Sequence, residues 1–294
     1  MTPELHFFIG KGGVGKSTTS ALTALKLAHT DRDTLLVSMD PAHNQRDIFQ
    51  EPFSEKPKQV TPLLAIKEID TDYWIKTYLK ETESQLKKMY SYQSAFNIQK
   101  YYHVLKYSPG LEEYAMLLAF ENILQTATDI NTIVFDMPPT ALTLRFFSLP
   151  FITLVWLKEL LLLRNTIYEK KEIVSKIKLG HKRIEQDKVK ARLETLIQSH
   201  ARLRDLLFAE TTHINLVLNN DPLSLAEAIR IQQKLRDIGI KISAIILNKV
   251  KKNNGTGDIG GNFNGYPIKR FPDSSRDLYG MDALKAYILE NREL

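Results

Sequence analysis

The apolar residues of this chain fall into short runs set between longer stretches with a helical repeat. Residues 5–9 form a strand-like run that ends on a glycine loop. Residues 17–29 then put Ala21, Leu25 and Ala28 on one helical face, and residues 34–38 form a second run. The pattern predicts strand, loop, helix, strand. Similar runs at 64–69, 132–135, 214–218 and 243–247 each stand near a helical stretch. Strands that are apolar along their whole length are those covered on both faces. These runs therefore predict an α/β fold with a doubly wound, mostly parallel sheet.

Two stretches break the alternation. Residues 72–128 and 151–210 have helical patterning and no convincing strand: Ile173, Ile177 and Ile184, then Leu193, Leu196 and Ile197, recur at helical spacing. Both lack the Pro, Gly and Ser richness of a linker, so they predict helical insertions on a single domain of residues 1–294. Within the second, Phe151, Ile152, Leu154, Val155, Trp156, Leu157 and residues 160–163 make one helix apolar nearly all round. Such a helix must be buried in something, either its own neighbours or a bound partner. Lys158 and Glu159 interrupt the run, and it is shorter than the roughly 20 residues a spanning helix needs, so it is not expected to cross a membrane. Residues 253–265, rich in Asn and Gly, predict a turn-dense loop.

Composition narrows the chemistry. The chain has no cysteine, which removes disulfides, thiolate metal sites and thiol catalysis. The first ten residues have no basic segment, long apolar stretch or small-residue cleavage site, so no secretory signal is expected and a cytoplasmic location is. Residues 151–210 hold 13 Lys and Arg against 8 Asp and Glu, most of the net charge of +6. A basic helical region attracts nucleic acid or an anionic membrane, but mixed charge on long helices is more often a solvated face.

The loop Gly10-Lys11-Gly12-Gly13-Val14-Gly15-Lys16-Ser17 fits G-x-x-x-x-G-K-[ST] between a predicted strand and a predicted helix. Glycines let successive backbone N–H groups turn toward phosphate oxygens, and the helix N-terminus adds favourable partial charge. Lys16 is placed to reach the terminal phosphates, and the Ser17 hydroxyl to ligate Mg²⁺. Two carboxylates end strand-like runs. Asp40, in Ser-Met-Asp-Pro-Ala-His-Asn, either orients an attacking water or caps the segment that follows. Asp136 reads as a Walker-B carboxylate near Mg²⁺, or as a turn-initiating Asp before Pro138 and Pro139. The seven histidines show no ligand spacing, so no metal beyond the nucleotide's Mg²⁺ is expected. His43 stands nearest the site, and a packing or capping contact is expected of it.

The glycine loop, Asp40-Pro-Ala-His-Asn, and Asp136-Met-Pro-Pro-Thr-Ala-Leu-Thr-Leu-Arg-Phe-Phe-Ser-Leu-Pro together resemble the ArsA family of ATPases. That family includes the arsenite-pump ATPase and the targeting factor for tail-anchored membrane proteins. The likeness covers residues 1–50, 132–150 and 214–294, and the chain looks like a single-half, bacterial- or archaeal-type member. The resemblance implies a P-loop fold with a deviant Walker A loop, and a homodimer that closes around two ATP molecules. Gly10 to Ser17 and Thr18 would bind nucleotide, with Ser17 and Asp136 toward Mg²⁺. Lys11 would reach the partner's nucleotide and, with Lys16, neutralise charge on the phosphates, as an arginine finger does. Asp40 would position the water from switch I, and Asp136 would begin switch II. Asn248, in Leu-Asn-Lys-Val, resembles an adenine-reading asparagine, and Pro272, in Arg-Phe-Pro-Asp, a proline loop lining the base.

Three departures stand out. The absence of cysteine argues against metalloid transport by thiolate chemistry and removes the Cys-x-x-Cys zinc clasp of the eukaryotic targeting factors. Ala141 and Leu142 stand where members commonly have Gly-His. In targeting members, insertions at these positions form a hydrophobic groove for a client's transmembrane helix. The leading expectation is thus a cytoplasmic ATP hydrolase whose nucleotide state controls a hydrophobic helical client, with transient membrane contact and no nucleic acid. A partition or positioning ATPase that coats DNA or membrane, and a low-turnover nucleotide-sensing scaffold, stay open as alternatives.

Overall fold

A computed structural model describes residues 3–89, 108, 110–179, 187–251 and 261–291. The chain divides into two compact units, one of residues Met1–Phe146 and Glu210–Leu294 and one of residues Phe147–Ala209.

The first unit is built on an eight-stranded sheet. Its first half contains β1 (Glu4–Ile9), α1 (Lys16–Ala28), β2 (Thr34–Ser38), α2 (Asn44–Phe49), β3 (Lys58–Thr61), β4 (Leu64–Glu68), α3 (Thr71–Met89), α4 (Leu111–Thr126) and β5 (Thr132–Asp136). After the second unit the chain returns with β6 (Thr212–Asn219), α7 (Pro222–Asp237), β7 (Ala244–Val250), β8 (Ile268–Pro272) and α8 (Met281–Glu290). The strand order is β3-β4-β2-β5-β1-β6-β7-β8, parallel throughout except for the β3–β4 hairpin. Every predicted strand is present, and the doubly wound α/β class holds.

Alternation along β1 sorts the two faces. Phe8 packs with Ala21, Leu22 and Leu25 of α1 in a cluster that includes Val217 of β6 and Ile246 of β7. Phe7 points the other way, stacking on Phe135 at 4.8 Å, with Phe120 and Phe146 completing an aromatic cluster. Two strands were not expected, β3 and β8. Each lies at a sheet edge and pairs on one side only, so each carries exposed polar residues (Lys58 and Gln59, Lys269 and Arg270) instead of an apolar run. Helices α3 and α4 fall in the first unit.

The second unit contains most of α5 (Thr140–Leu179) and all of α6 (Lys188–Leu207). Asp187 starts α6 as its N-cap: Oδ1 accepts from the N–H groups of Val189 and Lys190, and Arg164 on α5 donates to the same carboxylate at 2.8 Å. The ring of Phe151 meets Phe208 edge-on at 5.3 Å. Leu154, Leu157, Leu203 and Leu207 are buried, but Ile152, Val155, Trp156, Leu162, Leu163 and Ile167 are exposed, Trp156 by 62%. Burial among its own neighbours therefore accounts for only part of this helix. The helix also runs further than its richest apolar segment suggested. Thr140–Lys170 is long and apolar enough, by length and composition, to cross a membrane, and 28% of its most apolar window is buried. Ile184 and residues 253–260 lie outside the described residues, as do the side chains of Ile173 and Ile177.

Candidate functional site

The C-terminal end of β1 feeds the loop 10–15, and α1 begins at Lys16. Two glycines in the loop are dictated by close approach as well as by positive φ. At Gly10 (φ 151°) a Cβ would lie 2.3 Å from the carbonyl oxygen of Val217, and at Gly15 (φ 94°) 2.1 Å from Nδ2 of Asn248. Gly12 and Gly13 have nothing within 4 Å of such a Cβ, so that side of the loop is open. Gly15 caps α1 without a side-chain bond, so no cap side chain occupies the first-turn N–H groups or their helix-end partial charge.

Beneath the loop sits a small set of buried polar groups. Lys16 is buried, its Nζ 3.4 Å from the carbonyl oxygen of Lys11; burial pushes its pKa down, while Asp136 and Asp40 pull it back up. Asp136, at the end of β5, is fully buried, and its Oδ2 accepts from Nε2 of Gln45 at 2.9 Å. Oδ1 has no partner among the described residues. Burial pushes the Asp136 carboxyl up to about 6, against the pull of the Ser17 hydroxyl, Gln45 and Lys16. Leaving such a buried acceptor unpaired costs about 1–3 kcal/mol, which argues for a donor arriving with a ligand.

Asp40 follows β2 and is also buried. Its Oδ1 accepts from the N–H of Ala42 at 3.0 Å, and its carbonyl from the N–H of His43 at 3.0 Å. The carboxylate thus closes a turn and does not cap α2, whose N-cap position is His43 (φ 51°), with no side-chain cap bond. His43 instead places Nδ1 3.8 Å from Oε2 of Glu68, a carboxyl raised above its usual pKa by burial. Asn44 reaches Ser17 Oγ at 3.4 Å.

These groups border an open cavity of about 650 Å³. Gly12, Gly13, Gly15, Lys16, Ser17, Thr18 and Asp40 line one end, and Asn248 and Pro272 line it further along. Four other expected residues do not line it. Gly10 and Val14 underlie the loop, where Asn248 Nδ2 donates to the carbonyl of Val14 at 2.8 Å, Asp136 lies deeper, and Lys11 is not part of the lining.

A glycine loop at the head of α1 and two strand-end carboxylates on this sheet are features shared with known proteins. The model of the anion-transporting ATPases, ArsA, matches residues 4–264. The chain belongs to the anion-transporting ATPase family. A protein of Aquifex aeolicus provisionally named arsenical pump-driving ATPase 2 is 30% identical over 258 residues, 85% of this chain and 81% of that protein. The ATPase ASNA1 homolog of Entamoeba histolytica is 29% identical over 251 residues, 83% of this chain and 75% of that protein. The ATPase ASNA1 homolog of Babesia bovis is 31% identical over 260 residues, 85% and 67% respectively. Membership makes this chain an ATPase.

Two parts of the candidate site were not legible beforehand. The segment after β8 walls the cavity with Arg276, Asp277 and Tyr279, held in place where Tyr287 donates to the carbonyl of Pro272 at 2.7 Å and Gly280 N–H to that of Ile48 at 2.7 Å. No motif announces such a loop. Gln45 is the other. It shares the buried face of α2 with Ile48 and Phe49, and an amide in the apolar slot of an i, i+3, i+4 set was the signal available.

At the other end of β1, chain register gathers a cluster that sequence spacing hid. His6 pairs with His213 across β1 and β6, their rings stack at 4.6 Å, and Glu4 joins them, held by Arg32 at 2.6 Å. Burial, then neighbouring His213, pushes His6 down to about 4 from 6.5. Between those values the unfolded chain binds the proton and the folded chain does not, so this contribution to stability is full above 6.5 and lost as pH falls toward 4. His6→Gln is therefore expected to remove about 2–3 kcal/mol of the stability loss between neutral and acid pH, read from urea unfolding at both ends of that range.

Proposed function

We propose that this ATPase works in the cytoplasm as a pair of copies closed around MgATP, and that nucleotide state controls its binding of a hydrophobic helical client of the tail-anchored membrane-protein kind. One observation carries the reading. Ile152, Val155, Trp156, Leu162, Leu163 and Ile167 make an exposed apolar stripe along α5, at spacings suited to one helical face. Contiguous exposed apolar surface marks a partner site, and a helix laid along it buries its own apolar face in return. The insertion at 151–210 would supply that surface.

At the nucleotide, the amides of the loop and Thr18, together with Lys16, hold the phosphates, and Asn248 and Pro272 hold the base. The Ser17 hydroxyl and Asp136 face Mg²⁺; an oxygen-only donor set suits a hard cation, and the unpartnered Oδ1 of Asp136 suits a water on it. Mg²⁺, when bound, neutralises charge on the phosphate oxygens. Asp40 keeps one oxygen on the Ala42 N–H and orients the attacking water with the other. Lys11, whose side chain does not line its own chain's cavity, serves the partner's nucleotide.

The test is capture of a tagged transmembrane helix co-expressed with an Asp40→Asn chain, which is expected to retain it through purification. Adding Trp156→Ser and Leu162→Ser should cut recovery by at least about tenfold without changing ATP binding, since two buried apolar contacts are lost. Equal recovery sinks the client reading. DNA binding that weakens steeply with salt would point instead to a partition-type ATPase using the basic excess of residues 151–210.

A further inference from the structure

Gln45 is fully buried, yet it is an amide on a helix face otherwise made of Ile48 and Phe49. Its Nε2 lies 2.9 Å from Asp136 Oδ2, 3.1 Å from the carbonyl oxygen of Ser17 and 3.3 Å from Ser20 Oγ. Two hydrogens are thus shared among three acceptors. The first turn of α1, the end of β5 and the helix that follows Asp40 all meet at this one carboxamide. Two acceptors beside it, Gln45 Oε1 and Asp136 Oδ1, are buried and have no donor among the described residues. Each shares its carbon with an atom of the Gln45–Asp136 hydrogen bond. Water on a divalent cation suits such a pair, because it has two hydrogens to give and its lone pair is already committed to the metal.

We propose that Gln45 is a positioning residue for the divalent cation of the nucleotide site: Nε2 fixes Asp136 Oδ2, and Oε1 accepts a hydrogen from water carried by the cation, beside Asp136 Oδ1. The proposal rests on the reading of Ser17 and Asp136 as the cation-facing pair. It also makes α2 responsive to the cation, because the side chain that accepts from the water belongs to the helix that follows Asp40.

The test is an electron paramagnetic resonance titration of the full chain with Mn²⁺, in the presence of a nonhydrolysable ATP analogue. Gln45→Met keeps the volume and removes both amide functions. It is expected to weaken Mn²⁺ binding about tenfold, the loss of one charge-assisted hydrogen bond, with analogue affinity in EDTA changed by less than about twofold. Unchanged Mn²⁺ affinity in a chain that melts as the wild type does overturns the proposal. A second measurement needs no variant. Adding Mg²⁺ to wild-type chain holding the analogue is expected to slow amide exchange across Asn44–Phe49, and no slowing overturns the proposal even if Gln45→Met does not fold. Asp136→Asn separates the two failures. If it leaves Mn²⁺ affinity unchanged, the cation-facing reading falls and the role of Gln45 with it; if it weakens Mn²⁺ while Gln45→Met does not, the role of Gln45 alone falls.

Discussion

An Asp40→Asn chain is expected to release phosphate at least about 100-fold more slowly than the wild type, while binding ATP within about threefold. The asymmetry follows from the geometry. Oδ1 of Asp40 is engaged with the Ala42 N–H, and an Asn oxygen can keep that bond, so the turn before α2 retains its shape. What disappears is the negative charge proposed above to orient the attacking water. Lys16→Ala should behave differently, losing both steps, because the buried Nζ stands at the glycine loop proposed above to hold the phosphates. A phosphate-release assay at saturating MgATP, paired with fluorescent-nucleotide binding, measures both. Wild-type turnover in either variant would remove this cluster from the reaction.

The second large effect concerns stability. Asp136 titrates near 6 in the folded chain against an ordinary 3.8. A carboxyl raised on folding contributes stability that is present below its unfolded value and lost as pH rises through its folded value. Above that value the nucleotide-free protein carries a buried charge, at a cost of about 2–3 kcal/mol. Asp136→Asn removes the charge and keeps an oxygen for Gln45. It should therefore be more stable than the wild type by about 2 kcal/mol near pH 8, with little difference near pH 4, in chemical denaturation without nucleotide. ATPase activity should fall at least about 100-fold in the same protein, because that charge is the one proposed above to face the cation. A variant that is less stable at alkaline pH would contradict the assignment of burial as the dominant influence on Asp136.

The central strands were readable because a strand covered on both faces must be apolar throughout, and the glycine loop because close backbone approach leaves Gly10 and Gly15 no alternative. Edge strands escape that logic: Lys269 and Arg270 satisfy solvent on one side of a strand whose other side is paired. Contacts set by tertiary register were equally hidden. His6 and His213 meet because β1 and β6 are neighbours, and Asn248 reaches Val14 across 234 positions of chain. The apolar helix was visible as a sequence that needs cover, but the sequence did not divide its residues into those its neighbours cover and those left open. Leu154 and Leu157 fall on one side of that division, Val155 and Trp156 on the other.

The two ends of the sheet bear on how copies of this protein can meet. Lys58 and Gln59 at one edge and Lys269 and Arg270 at the other are exposed, and the outermost parallel pair is broken by a bulge between Leu247 and Val250. Polar, irregular edges reject an incoming strand. Growth of the sheet into a filament, or a dimer sharing one continuous sheet, is thereby disfavoured, which leaves helices and loops as the surfaces through which a second chain can engage. The pairing of copies proposed above could then be made and undone without unpairing a single strand.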